Sequence, residues 1–257
     1  MLNIEQIQSY YPKEIRSFKR NILREYLQYK ILEAIYESSI GTKLSFMGGT
    51  CIHILYSNPR FSEDLDFDNL NIKIEDFEVL SKYIKRKLEL EGYTVELKIK
   101  SKDAFRAFFR FPNILHESGL SGYKEEKLLV QIDTEPQNFY YNPEKVIINK
   151  FDVFSRINTV PIDILLSQKI FCIFSRKRIM GRDFYDIIFL MAKTKPNYRY
   201  LNDKVSIKNN KELKEGLLSK CKELDFDKLT KDIEPFLYNK NEINKIKLFS
   251  EYILQYM

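Results

Sequence analysis

Two aspartates that alternate with apolar residues stand out in the segment SEDLDFDN, residues 62–69. If this segment is a β-strand, Asp64 and Asp66 lie on one face, and Asp68 joins them if the strand continues, because side chains two residues apart point to the same side. Two carboxylates so close resist joint ionisation unless a cation lies between them. Mg²⁺ suits such a pair, since it binds one or two carboxylates and leaves room for phosphate oxygens. The alternative is an exposed polar strand face or an Asp-rich turn.

A glycine pair lies a short distance before these acids. Gly48, Gly49 and Thr50 follow the apolar run LSFM and precede a second apolar run, CIHILY. This order predicts a strand that turns into a helix, with backbone N–H groups open to a ligand. Helix N-termini of this kind bind phosphate, helped by the helix dipole. The plainer interpretation is a tight turn that uses glycine for steric reasons.

A third acid comes from the segment KLLVQIDTE, in which Asp133 is flanked by apolar residues. A two-metal phosphoryl-transfer site needs such a carboxylate from another strand. Asp133 is therefore the candidate third metal ligand, and a strand-end aspartate that caps a turn is the alternative. Ser62 shares the face of Asp64 by alternation, so its hydroxyl is expected to reach the phosphates. A turn-capping hydroxyl is the other interpretation of Ser62.

The hydrophobic spacing predicts the elements that position these residues. Apolar residues recur at helical spacing from Lys13 to Ser39, and Gly41 is expected to end that helix. Strands are predicted at 43–47, 64–68, 93–101, 104–111 and 127–135, and further helices at 50–57, 75–91, 161–178 and 182–193. The fold class is therefore α+β: a mixed β-sheet core flanked by helices over residues 1–155, and a mainly helical C-terminal lobe over 156–257.

Composition excludes several classes of protein. The three cysteines are far apart and form no CxxC motif, so neither a disulfide scaffold nor a zinc site is expected. A cytoplasmic location is expected, because its reducing conditions fit free cysteines. No apolar run is long enough for a membrane helix. The net charge is +6, and residues 193–222 carry nine Lys/Arg against three Asp/Glu. This basic stretch is interpreted either as an RNA-facing surface or as solvated helix faces.

The glycine pair, the segment R-x-S-x-D-L-D-F and a later lone strand aspartate resemble the pattern of DNA-polymerase-β-like nucleotidyltransferases. A second segment, QKIFCIFSRKRIMGRDFYDI, resembles the AbiEii/AbiGii toxin branch of that superfamily, in which two helices carry K-x6-R-x5-R-D-x-(Y/F)-D. The matching positions are Lys169, Arg176, Arg182, Asp183, Tyr185 and Asp186. The resemblance covers about residues 43–190.

The resemblance implies roles for these residues. Asp64, Asp66 and Asp133 would bind Mg²⁺ (or Mn²⁺) and act in catalysis with Lys169 and Asp183. The phosphates of a nucleoside triphosphate (NTP) would be bound by a larger set, namely Gly48, Gly49, Thr50, Arg60, Ser62, Lys169, Arg176 and Arg182. Asp186 would orient a neighbour.

Other interpretations of the second motif stay open. Lys169 could simply extend its ammonium group to solvent, and Arg182 with the two aspartates could form a structural ion-pair set. Phe184 and Tyr185 are expected to pack rather than to stack on a base.

The implied activity is transfer of a nucleoside monophosphate (NMP) from an NTP to an acceptor, an EC 2.7.7-type reaction. The resemblance implies the toxin of a toxin–antitoxin or phage-defence pair, with a cognate antitoxin as partner and the 3′ end of tRNA as acceptor. One alternative is NMP transfer to a protein hydroxyl. Another, of a different class, is a non-catalytic module that binds nucleotide or a partner.

Overall fold

The computed structural model describes residues 1–102 and 104–257. The chain divides into two compact units. The first comprises Met1–Tyr56, Phe61–Asn138 and Asn142–Val160, and the second comprises Ser57–Arg60, Phe139–Tyr141 and Pro161–Met257. Among the described residues, no helix combines the length and apolar character needed to cross a bilayer.

A seven-stranded sheet forms the centre of the first unit. Its strands are β1 (Leu44–Met47), β2 (Leu65–Asn69), β3 (Glu96–Lys100), β4 (Phe105–Phe111), β5 (Leu128–Glu135), β6 (Glu144–Lys150) and β7 (Val153–Thr159). They are ordered β3-β4-β5-β2-β1-β7-β6. The β2–β5 and β1–β7 pairs are parallel and the other pairs are antiparallel, so the sheet is mixed.

The helices of the described part of this unit are α1 (Ile4–Ser9), α2 (Lys19–Glu37), α3 (Gly48–Tyr56), α4 (Ile74–Leu90) and α5 (Ile114–Glu117). In α4, buried Phe77, Leu80, Ile84 and Leu88 recur at three and four residues and form one apolar stripe. Strands β4 and β5 bury alternate residues, as a sheet with one covered face requires. The opposite, polar face is therefore the one available to ligands.

The second unit is helical. It contains α6 (Ile162–Ser175), α7 (Gly181–Met191), α8 (Tyr198–Val205), α9 (Asn210–Cys221), α10 (Phe226–Ile233), α11 (Asn244–Lys247) and α12 (Phe249–Tyr256). Phe184 of α7 is fully buried and meets the rings of Phe226 and Phe249 edge-to-face. The predicted fold class, an α+β protein with a mixed sheet and a helical C-terminal lobe, is confirmed.

Three details of the predicted elements are wrong. The helix predicted over 13–39 spans only Lys19–Glu37, because Arg16 donates to the Tyr11 carbonyl and holds the preceding residues in turns. The helix predicted to reach residue 178 ends at Ser175, where Arg176 turns to extended backbone. Strands β6 and β7 were not predicted, since β6 is largely exposed and its turn uses Phe151 at φ +60 instead of glycine.

Gly41 is required where the chain leaves α2 and turns into β1. A Cβ at this position would lie 2.2 Å from the backbone oxygen of Ile35, which cannot move without disturbing the helix. We expect Gly41→Ala to lower the free energy of unfolding by about 1–3 kcal/mol, measured by urea denaturation. Gly122→Ala is the matched control, because its Cβ would meet nothing within 4 Å. Equal stability of the two variants would contradict this account of the turn.

Candidate active site

The turn between β1 and α3 brings the glycine pair against the acidic strand. Gly48 adopts φ +79, a left-handed conformation that costs other residues free energy. A Cβ on Gly48 would lie 2.1 Å from Oδ2 of Asp66. Only glycine therefore lets the backbone approach this carboxylate so closely, and the two predicted motifs form one site.

Thr50 connects the first turn of α3 to the residue before β2. Its side chain is buried, and Oγ1 donates a hydrogen bond of 2.5 Å to the backbone oxygen of Asp64. The hydroxyl thus fixes the position of Asp64 from the helix. Gly49 and Thr50 lie in the first helical turn, where N–H groups have no partner within the helix. Their predicted role in binding phosphate stays a prediction.

Asp66 and Asp133 are direct neighbours in the sheet. They are register partners on the parallel strands β2 and β5. Neighbouring strands are about 4.8 Å apart and partner side chains point to the same face. Two carboxylates are thus adjacent, an arrangement that favours a cation between them.

Asp133 is held by two side chains of the same sheet face. Gln131 donates from Nε2 to Oδ2 at 2.7 Å, and Nε of Arg106 lies 3.1 Å from Oδ1. Arg106 is also the register partner of Asp133 across β4 and β5. Neither residue was predicted from the sequence, although Gln131 could have been found, because it lies two residues before Asp133 on the same face.

The other acids of the DLDFD segment differ from Asp66. Asp64 precedes β2 and is half-exposed, whereas Asp68 is buried and accepts a hydrogen bond from the backbone N–H of Gln137 at 2.8 Å. In residues 1–102 and 104–257, no three His, Cys, Asp or Glu side chains are grouped as a metal site. The donor set that the structure brings together is the Asp66–Asp133 pair. Two carboxylates fit Mg²⁺ when phosphate and water supply its remaining ligands. Asp64 as a third ligand stays a prediction.

A second acidic and basic cluster lies in the helical unit. Lys169 of α6 is 7% exposed, and its Nζ lies 3.1 Å from Oδ1 of Asp183 and 2.8 Å from Oδ2 of Asp186. Arg176 donates to Oδ2 of Asp183 at 2.7 Å. Ion pairs therefore join the motif residues of the two helices. Lys169 contacts both aspartates instead of solvent.

Asp186 also receives the side chains of the segment Ser57–Arg60. Nε and Nη2 of Arg60 donate to its two oxygens at 2.7 and 2.6 Å, and Asn58 donates at 2.7 Å. Arg60 is 1% exposed, so its guanidinium is committed to this pairing. The phosphate contact predicted for Arg60 stays a prediction.

The charged groups of this cluster shift one another's pKa values toward the ionised forms. Burial would raise the pKa of Asp186, but Arg60 and Lys169 outweigh that effect and lower the pKa to about 2. Burial would likewise lower the pKa of Lys169, yet Asp186 and Asp183 raise it. The lysine is therefore held as a cation in a buried position, where an unpaired charge would be costly.

Ser62 and Arg182 are less enclosed than the residues of the buried cluster. The backbone oxygen of Ser62 accepts from Nε2 of Gln28 at 3.0 Å, and its side chain is half-exposed. Arg182 is half-exposed and forms no ion pair with any residue that the structure describes. The phosphate roles of Ser62 and Arg182 stay predictions. Tyr185 is buried and donates to Glu242 at 2.8 Å, so it packs, as expected.

Glu25, His53 and Lys150 form a buried triad that anchors α3. This triad was not predicted from the sequence. Nε2 of His53 lies 2.9 Å from Oε2 of Glu25, and Nζ of Lys150 lies 2.6 Å from Oε1. Burial would raise the pKa of Glu25, but His53 and Lys150 lower it to about 2. Glu25 belongs to α2 and Lys150 to β6, so the triad ties the helix after the glycine turn to two other elements.

Comparison with known proteins identifies the family. The chain belongs to the family described as "Nucleotidyl transferase AbiEii toxin, Type IV TA system", whose match covers residues 30–241. It is thus a member of a nucleotidyltransferase toxin family of type IV toxin–antitoxin systems, as the sequence motifs indicated.

Solved structures show the same fold. JHP933 from Helicobacter pylori superposes with a TM-score of 0.56 at 18% identity, over 91% of each chain. A second H. pylori protein, assigned as a nucleotidyltransferase, gives 0.52 at 19% identity, over 88% of this chain and 93% of that one. A search of the curated proteins finds no match.

The contact between Gly48 and Asp66 can be tested directly. Gly48→Ala should reduce nucleotidyl transfer about 100-fold or more, because the added methyl group displaces the carboxylate. Gly92→Ala is the matched control, since Gly92 has φ +95 but nothing within 4 Å of its Cβ. A loss of activity no greater than in this control would show that the close approach is unimportant.

The buried cluster predicts a pH dependence. The folded-state pKa of Asp186 is below its ordinary value, so its stabilisation is present above about pH 4 and is lost as the pH falls toward 2. Asp186→Asn should destabilise the protein by about 3–5 kcal/mol at neutral pH and remove this part of the acid dependence. Urea denaturation over this pH range measures both effects. Exposed Asp203→Asn is the control, and an unchanged acid slope in Asp186→Asn would refute the assignment.

Proposed function

We propose that this chain is a Mg²⁺-dependent nucleotidyltransferase that transfers NMP from an NTP to the 3′ end of an RNA, with tRNA as the expected acceptor. The family membership supports nucleotidyl transfer and a toxin role. The nucleotide and the metal are inferred from the site together with the resemblance, and the acceptor is inferred from the resemblance and from the charge of the chain.

One observation carries the proposal, namely that Asp66 and Asp133 are register partners on adjacent parallel strands while Gly48 presses against Asp66. Asp66 and Asp133 would hold Mg²⁺, and the ion would neutralise charge on the transferred phosphate. The first turn of α3 would bind the β- and γ-phosphates through its N–H groups. In this proposal, the phosphate ligands and the metal ligands of a Mg²⁺–NTP complex would come from neighbouring elements.

Asp133 is the carboxylate suited to the acceptor hydroxyl. Gln131 fixes its Oδ2, while Arg106 lies against Oδ1 from the exposed side of the sheet. We infer that Arg106 pairs with Asp133 before the substrates bind and then moves away. Asp133 would orient the hydroxyl or accept its proton, and the attack on the α-phosphorus would expel pyrophosphate.

The resemblance implies that Lys169 and Arg176 bind the NTP phosphates. Asp183 and Asp186 hold Lys169 as a charged group, and Asp183 also pairs with Arg176. The side chain of Arg176 is 39% exposed, which makes it the more accessible of the two cations. We propose that Arg176 contacts phosphate and that Asp183 is the residue that orients it. Asp186, which pairs with buried Arg60, would position Lys169.

RNA is favoured as the acceptor by charge. The chain has a net charge of +6, and the basic stretch 193–222 offers lysines to a phosphate backbone. A cognate antitoxin is the second expected partner, as toxin–antitoxin pairs require.

The test is incorporation of labelled NTPs into total tRNA with purified protein and Mg²⁺. Asp66→Asn and Asp133→Asn should each reduce incorporation by about 100-fold or more, because each removes a carboxylate that binds the cation. Asp76→Asn is the control, since Asp76 is an exposed helix residue that pairs with Lys43. Its activity should match that of the original chain.

The acceptor atom is identified by chemical blocking. Periodate oxidation destroys the 3′-terminal diol of tRNA and should abolish incorporation. Label that appears in protein and not in RNA would replace the RNA proposal with transfer to a protein hydroxyl. Full activity of Asp66→Asn and Asp133→Asn, or no product with any NTP and RNA, would overturn the proposed mechanism.

A further inference from the structure

The face of the sheet that carries the acid pair continues onto β3 and β4 as a basic surface. Strand β3 exposes Lys98 and Lys100 on this face, while its alternate residues point the other way. Strand β4 presents Arg106, Phe108 and Arg110 there, and buries Ala107, Phe109 and Phe111 on the opposite face. We name these five residues, Lys98, Lys100, Arg106, Phe108 and Arg110, the basic platform.

The platform is continuous with the acid pair through the strand register. Lys100 pairs with Arg106, Arg106 with Asp133, and Asp133 with Asp66, so these four residues form one row across four strands. The next row contains Lys98 and Phe108. Phe108 is one strand and two residues away from Asp133 in register, roughly 8 Å by ordinary sheet spacings. One extended nucleotide spans such a distance.

Phe108 has the environment of a base-stacking ring. It is half-exposed on the polar face, and the charges of Lys100 and Arg110 lie 5.4 and 5.7 Å from its ring centroid. Both cations belong to long side chains at the surface, so they can turn to phosphate oxygens when a base covers the ring. A flat ring among cations is the arrangement by which proteins bind unpaired nucleotides without sequence preference.

The acids in register with platform residues are Glu96 and Asp133, and each has a cation beside it. Glu96 of β3 lies on the same face, but Nζ of Lys127 neutralises it at 2.7 Å. Arg106 is balanced by Asp133, whereas Lys98, Lys100 and Arg110 form no ion pair with any residue in 1–102 or 104–257. The surplus of cations indicates a polyanionic ligand in place of an ordinary protein surface.

We propose that the basic platform binds the single-stranded 3′ end of the acceptor RNA. A base near the 3′ end would stack on Phe108, while Lys98, Lys100 and Arg110 bind the backbone phosphates. The terminal hydroxyl would then lie at Asp133, displacing Arg106 toward a phosphate. This inference rests on the proposed function, and it adds the surface and the unpaired state of the acceptor.

Binding is measured without chemistry, on the Asp66→Asn protein, by fluorescence anisotropy of a short labelled single-stranded RNA. The double variant Lys98→Ala/Lys100→Ala should weaken binding and reduce the slope of log K against log salt by about 1.4, since two phosphate contacts are lost. Lys82→Ala/Lys85→Ala removes two exposed lysines from α4 and is the matched control. Its affinity and salt slope should be unchanged.

The aromatic contact has its own variants. Phe108→Leu should weaken single-strand binding about tenfold, and Phe108→Tyr should retain it because the ring remains. A blunt RNA duplex should bind less tightly than the single strand and should be insensitive to Phe108→Leu. Thermal unfolding checks that each variant is folded. If Phe108→Leu does not fold, the lysine variants still test whether the platform binds RNA.

The outcomes separate this inference from the proposed function. If the original chain incorporates NMP into RNA but the platform variants bind RNA like the control, the platform is not the acceptor site. If no incorporation occurs, yet single-strand binding depends on Lys98, Lys100 and Phe108, the binding surface stands and the catalytic proposal fails. Equal affinity for duplex and single strand would also overturn the inference.

Discussion

The structure of the candidate site depends on two like charges held side by side. Asp66 and Asp133 are adjacent because β2 and β5 are parallel neighbours in register, and the sheet leaves no freedom to separate them. Repulsion between two carboxylates must be offset by positive charge. In the protein alone, Arg106 supplies it from β4. In the reaction we propose, a divalent cation bound to an NTP supplies it.

In the helical unit, buried acidic and basic side chains neutralise one another. Lys169, Arg60, Asp183 and Asp186 are almost fully buried and satisfy one another. Such sets add little stability compared with apolar packing, yet removing one member leaves an unpaired buried charge. We interpret the set as a device that holds Lys169 and Arg176 in fixed positions. In the reaction we propose, cations held in this way would need no rearrangement when charge develops in the transition state.

Sequence patterns predicted those parts of the site that depend on residues close together in the chain. Strand alternation placed Asp66 and Asp133 on their strands, and the glycine pair marked a turn that only glycine can form at Gly48. Contacts between residues far apart in the chain leave no pattern of this kind in the sequence. Arg106 meets Asp133 through an antiparallel register, and Glu25 meets His53 from a helix 28 residues earlier in the chain. Neither contact can be derived from the spacing of residues within one segment.

The absence of local signals also explains the misplaced elements and why the basic platform was not predicted. Strand β6 lies at the sheet edge, so exposed residues weaken its alternation, and the turn at Phe151 lacks a glycine. The basic stretch 193–222 was conspicuous because its lysines lie close together in sequence. The basic platform was not, because its cations alternate with buried residues on two strands and meet only in the folded sheet. Charge patterns in sequence thus identify helical surfaces more readily than sheet surfaces.

The most direct test of the central claim is a crystal structure with Mn²⁺ and a non-hydrolysable NTP, in which anomalous scattering locates the metal. We expect a Mn²⁺ ion bound by carboxylate oxygens of both Asp66 and Asp133, with Arg106 no longer paired to Asp133. A metal–nucleotide complex bound elsewhere, with the Arg106–Asp133 ion pair intact, would contradict it.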